Sequence, residues 1–497
     1  MKLNRPKRLH GAASLVILLL AFNGAPSAAG EEVEKLVEVG LRKQLLVDDY
    51  AVANTLNVSR RLGRAIKQND GKPIMEPNEL EYPLYFGVYF TVFRDQGRFR
   101  MWYLATNIPD YDIGYAESED GINWTRPLVG DGGKSNFVFQ GHGFSCFVDP
   151  HETDPEHRYK AAYGPAGQFE KSQKAAHLAH SSDGIHWTPY YDGKEVLQRT
   201  SLDMKEGHTA VTASDTHNQL IWDDKAKIYR LFTRDLYTSP QSEGAKKISR
   251  GSRSMTNPDV KGDPTGWTLV RSWEFDREGD GEYEHRQIYA LTDWIYQDVH
   301  FAQMSVFTPA NGLIDYYIGT SRDGSSWDLS WVYANMPMIP PGPKGSFDAA
   351  GAFPSSQVVT WKDRHWLYYG AMDRGHKDPQ NRMTIGVATL RLDGFVSLSA
   401  GEKPGVMTTN PFKLAGGRLE INVDASQGKL SVEVLDAAGQ PIPGFTLHEA
   451  RGGKGVDDLR FEPAWENYDD LATLTGEVVR LRFHLNRANL YAFKVNP

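Results

Sequence analysis

Apolar positions along this chain fall in short runs that alternate with polar residues or are rich in β-branched and aromatic side chains, and each run stops at a polar turn. Val88-Tyr89-Phe90-Thr91-Val92-Phe93 runs into Asp95-Gln96-Gly97. Phe99-Arg100-Met101-Trp102-Tyr103 follows, and Ile113-Gly114-Tyr115-Ala116 then leads into Ser118-Glu119-Asp120-Gly121-Ile122-Asn123-Trp124. That phrase returns as Ser181-Ser182-Asp183-Gly184-Ile185-His186-Trp187 and as Ser321-Arg322-Asp323-Gly324-Ser325-Ser326-Trp327. Weaker echoes stand at Asp263-Pro264-Thr265-Gly266-Trp267 and Leu392-Asp393-Gly394-Phe395, so the closing aromatics are 60 to 80 residues apart. Asp-Gly suits a tight turn, because Gly accepts positive φ and Asp bonds the backbone ahead of it, while the Trp plugs the gap between sheets. One unit therefore predicts four antiparallel strands, and five copies predict a ring of sheets. The expected fold class is all-β, a five-bladed β-propeller over 30–405, with the repeated Asp and Trp residues structural rather than catalytic.

Beyond Gly401-Glu402-Lys403-Pro404-Gly405 the phrase disappears. Leu419-Glu420-Ile421-Asn422-Val423, Leu430 to Leu435, Val478 to Leu485 and Leu490 to Val495 alternate cleanly, which predicts a C-terminal β-sandwich over 406–497. At the other end, Lys2, Arg5, Lys7 and Arg8 precede the apolar run 15–22 and small residues up to Ala29, the pattern of a signal peptide over 1–29. The run is too short for a membrane span, so a secreted or periplasmic protein is expected. An entry strand pairing with the last blade would close the ring and hide two raw sheet edges.

Composition narrows the chemistry. Among 497 residues there is one cysteine, Cys146, so no internal disulfide framework exists. A net charge of −8 argues against nucleic acid and anionic membranes and favours a neutral or polyhydroxylated ligand. No zinc-type or EF-hand spacing occurs, so neither metal nor cofactor is expected.

In a propeller, ligand-facing residues precede innermost strands or follow second strands. By that rule Glu79, Glu81, His142, Asp215, His217, Asn218, Asp293, Asp298, His300 and Asp348 line the funnel, joined by Asn107, Arg234, Asp235, Asp373, Arg374 and His376. Tyr82, Tyr85, Trp294 and Tyr296 offer flat faces to a sugar. Paired carboxyl groups facing one another serve as general acid and base, and the expected catalytic set is Asp215, Asp348 and Glu81, with Asp298 next.

Five such units, an export signal and a terminal sandwich resemble the five-bladed propeller glycosidases: the invertase and levansucrase group, and the arabinanase and xylosidase group (glycoside hydrolase families 32, 43, 62 and 68). The chain also resembles exported bacterial proteins of that superfamily that carry Val-Asp-Asp-Tyr near the start and Leu-Tyr-Ala-Phe near the end, here 47–50 and 490–493. The invertase group's Asn-Asp-Pro-Asn-Gly and Glu-Cys signatures are absent, and Phe93-Arg94-Asp95 matches its Arg-Asp-Pro only in part. The resemblance implies a secreted glycoside hydrolase acting on a poly- or oligosaccharide, with room for a structural calcium. Three alternatives stand beside it: a sialidase-like enzyme, a mannoside-phosphorylase-like enzyme marked by a basic pocket, and a non-catalytic carbohydrate-binding propeller.

Overall fold

Three successive four-stranded meanders follow the predicted unit strand for strand. In the computed structural model, which describes residues 36–106, 110–166, 176–197, 214–238, 248–273, 275 and 286–497, the first sheet is Phe90–Asp95, Arg98–Leu104, Asp112–Ser118 and Phe137–Gln140. The second is His142–Val148, Tyr159–Gly164, His177–Ser181 and Thr188–Pro189. The third is Gln219–Asp223, Ile228–Thr238, Ile248–Asn257 and Thr268–Trp273. A fourth meander, Gln287–Tyr296, Val299–Thr308 and Leu313–Ser321, is joined by one parallel bridge, Ile314 to Gly351, to a fifth group. That group is Gly351–Pro354 with Val359–Trp361, then Arg364–Met372, Met383–Arg391 and, on the outside, Ile66–Lys67. An entry strand thus does pair with the last repeat. The signal-peptide residues 1–29 and Asn107 lie outside the described residues. The chain is nearly all β, and among the described residues no helix is long and apolar enough to cross a membrane.

The repeated phrase performs the same local task in three copies. The Ser118, Ser181 and Ser321 hydroxyls accept the N–H of Gly121, Gly184 and Gly324 at 2.8, 2.9 and 3.0 Å. These glycines take φ of +80, +78 and +66°, the left-handed region where a Cβ is penalised. Asp120, Asp183 and Asp323 each accept two further backbone N–H groups, which outweigh partial burial and hold Asp120 and Asp183 at about 2. The loop also receives the neighbouring sheet: Trp102 Nε1 and Arg100 Nη2 donate to the carbonyls of Gly184 and Asp183, and Arg230 Nη2 to Asp323. The Tyr368 hydroxyl of the fifth group donates to Gly121 of the first sheet.

Packing follows the same succession. Separate apolar clusters lie between sheets one and two (around Trp102, Tyr115 and Phe144), two and three (Leu178, Trp222, Leu231) and three and four (Phe232, Met304, Tyr317). Others join four and five (Phe301, Tyr316, Tyr369) and five and one (Phe99, Tyr103, Tyr368). A sixth cluster fills two further sheets built from C-terminal strands. Those sheets also take strands from the start of the chain: Gln44–Leu45 pairs with Ala488–Asn496, Val52–Leu56 with Gly405–Thr409, and Ser59–Leu62 with Val396–Ala400. The two end signatures therefore meet, with Leu46 N–H donating to the Tyr491 carbonyl. Beside them Asp48 accepts two bonds from Arg322 of the third phrase, at 2.7 and 2.9 Å.

Candidate functional site

The first strands of all five groups begin near one another, and their starts bring together side chains from every group. Tyr89 comes from the first, His142 from the second, Asp215 and His217 from the approach to the third, Tyr289 from the fourth and Phe353 from the fifth. Tyr89 packs edge-on to His142 (5.3 Å between centroids) and Phe353 (6.3 Å) and lies 5.5 Å from His217. Tyr111 closes on His142 at 4.9 Å, and Tyr289 on Phe353 at 5.6 Å and His376 at 5.1 Å. Backbone polarity is answered within the same circle: Asn218 N–H and side chain donate to the Gly143 carbonyl, Thr216 Oγ1 to the Tyr289 carbonyl, and Ser145 Oγ to Asn218. Gly143 permits this approach, because a Cβ there would meet the Thr216 carbonyl oxygen at 1.7 Å and its φ is +59°.

Asp215 sits in this cluster with its side chain 42 % exposed and His142 Nε2 at 3.7 Å. Burial raises the hydroxyl pKa of Tyr85, Tyr89, Tyr111 and Tyr289, and the Asp215 charge adds a smaller push in the same direction. Burial also keeps the two histidines deeper in the cluster neutral. His217 falls to about 3, and His376, with Arg250 and Arg234 nearby, to about 4.

Two cations join the cluster, Arg234 as the strand rule expects and Arg250 from the third strand, which that rule does not reach. The second and third strands of sheet three pair from Tyr229↔Asn257 to Thr238↔Ile248, while the first strand reaches only as far as Gln219↔Phe232. Arg234 and Arg250 stand on the overhang, with their guanidinium carbons 4.9 and 5.5 Å from the Tyr289 ring centroid. Tyr89, Tyr111, Tyr289 and Arg250 were missed by sequence reasoning. The unusual length of the apolar-polar run 228–238 was the available signal for Arg250, which pairs with its far end.

Several expected site residues are engaged elsewhere. Asp348 is buried, 2.5 Å from Lys67 Nζ on the outermost strand, and it accepts bonds from Tyr369 and Ser346; its carboxylate lies over the sheet face. Glu81 is buried beneath Arg126, accepting from Arg126 Nη2 at 3.0 Å, the Tyr103 hydroxyl at 2.6 Å and the Asn78 N–H at 2.8 Å. Asp298 occupies the left-handed hairpin turn after Gln287–Tyr296 and pairs with Arg42. It is at the opposite end of that strand from Tyr289, because Gln287–Tyr296, not the segment after 298, is the innermost strand of sheet four. His300 is buried at the same end, hydrogen-bonded to Asp293 and 3.6 Å from Asp223. Trp294 and Tyr296 stack on one another at 5.0 Å, packed against His365, and the Tyr296 hydroxyl donates to Asp393. Asp235 is buried against Arg253 at 2.9 Å. Asp373 receives the Arg382 N–H, and Arg374 extends to Gln380. His142, His217, Arg234 and His376 are the expected binding residues that the structure gathers around Asp215.

The far ends of the innermost strands enclose a cavity of about 390 Å³ lined by Phe93, Phe147, Trp222, Asp293, Trp294 and Gln357, one or more residues from each group. The five groups therefore share both of their ends.

No protein-family model matches the chain, and no curated protein does. Solved structures do. It is similar to a glycoside hydrolase at 14 % identity (67 % of this chain and 92 % of that one, TM-score 0.44) and to a thermostable family-43 glycoside hydrolase at 11 % identity (63 % and 92 %, TM-score 0.43). It is also similar to an N-acetylgalactosamine deacetylase from F. plautii solved with blood group B trisaccharide, at 15 % identity (67 % and 96 %, TM-score 0.43). No residue role is carried across from any of them.

Proposed function

We propose that the protein is a carbohydrate-active enzyme, a secreted glycoside hydrolase. Its five groups of strands are the blades of a five-bladed β-propeller over 30–405, and 406–497 form an accessory β-sandwich that takes in the strands between 44 and 62. Support for the ring is the succession of cores from sheet one to sheet five and back to one, together with the two shared ends. The observation that carries the function is Asp215, a partly exposed carboxylate beside His142, set among Tyr85, Tyr89, Tyr111 and Tyr289 at the end where the innermost strands begin.

In this reading the sugar lies against Tyr85, the half-buried ring of the group, with the buried Tyr89, Tyr111 and Tyr289 behind it, and Asp215 exchanges a proton with the glycosidic oxygen or the attacking water. His142 Nε2, 3.7 Å away, orients the carboxyl group. No cofactor is assigned to the reaction. Removing a positioned acid-base group costs about 10²- to 10⁴-fold in rate. Incubating wild type and Asp215→Asn with a panel of plant and bacterial oligosaccharides tests this: wild type should release sugar and the variant should lose at least about 10²-fold in kcat. Equal turnover by the two proteins would refute it. A second reading, a carbohydrate-binding propeller without turnover, is favoured by the diversion of Asp348, Glu81 and Asp298 to ion pairs and turns. It predicts glycan binding by both proteins and release by neither.

A further inference from the structure

Arg234 is 3 % exposed, yet among the described residues its guanidinium makes one hydrogen bond, from Nη2 to the Tyr289 carbonyl, and Nε has no partner. Arg250, on the neighbouring strand of the same overhang, donates from Nη1 to Gln287 Oε1 at 2.9 Å and lies over the rings of Tyr289 and Phe307 at 5.5 Å each. Neither forms an ion pair with a carboxylate among the described residues. The contrast with the rest of the molecule is sharp: Arg100 and Arg158 share Asp95, Arg230 takes Asp223, Arg253 takes Asp235, and Arg126 takes Glu81.

Burying a cation without a partner is costly, and two side by side repel each other as well. The mutual effect is visible: burial and Arg234 both push Arg250 below the ordinary guanidinium range, and the same two arginines help to hold His376 neutral. Aromatic faces offset part of that cost. A planar fork with unused N–H groups is suited to a two-oxygen anion.

We infer that Arg234 and Arg250 form a subsite for an oxyanion group, and that the sugar unit bound at the Asp215 end carries it as a carboxylate, so that the substrate class is an acidic, uronate-containing glycan. The inference deepens the glycosidase reading and shares its site. The Tyr289 ring fixes both guanidiniums, the His376 imidazole shares a 3.1 Å hydrogen bond with the Tyr289 hydroxyl, and Asp215 remains for the reacting bond. An inorganic oxyanion such as phosphate has the same recognition chemistry, and the experiment separates the two sources.

Binding is measured by calorimetry on Asp215→Asn, so that no turnover interferes, and on Asp215→Asn carrying Arg250→Gln or Arg250→Lys. The probes are uronate oligosaccharides, the same oligosaccharides after carboxyl reduction, and inorganic phosphate. Thermal melts of all proteins confirm that they are folded. The expected result is binding of the acidic oligosaccharide at least tenfold tighter than its reduced counterpart, a loss of that preference in Arg250→Gln, and partial recovery in Arg250→Lys. Phosphate binding that depends on Arg250 without preference for the acidic glycan keeps the oxyanion subsite and overturns the uronate assignment. Equal binding of acidic and reduced glycans with no phosphate binding, or an acidic preference unchanged in folded Arg250→Gln, overturns the subsite. An Arg250-dependent preference for acidic glycans together with equal turnover by wild type and Asp215→Asn would leave the subsite standing while the hydrolase reading fails.

Discussion

Three carboxylates that look alike in the sequence are separated by their surroundings. Asp215 is partly exposed beside His142, whereas Asp348 is clamped by Lys67 and Glu81 by Arg126 and Tyr103. Asp215→Asn should therefore leave the melting temperature within about a degree or two, a surface-like change of under about 0.5 kcal/mol, while turnover falls. Glu81→Gln should do the reverse. It strips half-buried Arg126 of the counter-charge that buried Glu81 supplies, at a cost of about 1–3 kcal/mol, lowering the melting temperature with kcat little changed at temperatures where the protein stays folded. Parallel melting curves and initial rates on the two variants check both halves. None of this was legible in the sequence, since Asp215, Asp348 and Glu81 all precede an apolar strand. What divides them is a lysine about 280 residues before Asp348 and an arginine 45 residues after Glu81.

At the scale of one element, Gly143 shows how a strand start positions the site. An added methyl would meet backbone, not a flexible side chain, and would also sit at positive φ. Gly143→Ala should cost about 1–3 kcal/mol and displace residues 215–218, lowering turnover even where the protein still folds. Chemical denaturation with an activity assay reads both, and an unchanged rate would show that the 215–218 segment is held by something else. The repeated phrase was the most legible element, because its Ser, Asp and Gly interact within a few residues of one another and leave a local signature. Sheet four was read out of phase for the opposite reason. Leu291 to Tyr296 and Val299 to Phe307 are both apolar and flank a short Gln297-Asp298 turn, so the sequence does not say which strand is innermost. Only the packing of Ile288 and Leu291 against sheet three decides it, and Asp298 moves to the other end as a result. Arg250 was hidden likewise, since strand length beyond a partner's end is a property of pairing.

For the whole molecule, the succession of antiparallel meanders was legible from the period alone, whereas the threading of residues 44–62 into C-terminal sheets was not. Pairing of segments more than 300 residues apart leaves no local mark. The balance of buried charge predicts how the molecule answers acid. His217, His365 and His376 have pKa values depressed by burial to about 3, 3 and 4, so the unfolded chain takes up protons first and stability falls as pH drops below about 6.5. Asp120, Asp183 and Glu152, each held at about 2, add a second loss from about pH 4 down to pH 2. The melting temperature should decline in two stages between pH 7 and pH 2, and a flat profile from 7 to 4 would show that the histidines are not buried as described. The most direct test of the central claim is a crystal structure of Asp215→Asn soaked with an oligosaccharide that wild type cleaves. The predicted result is a sugar ring against Tyr85 with an oxygen in hydrogen-bond reach of Asn at position 215. Sugar found only in the cavity at the opposite end, against Phe93, Trp222 and Trp294, would contradict it.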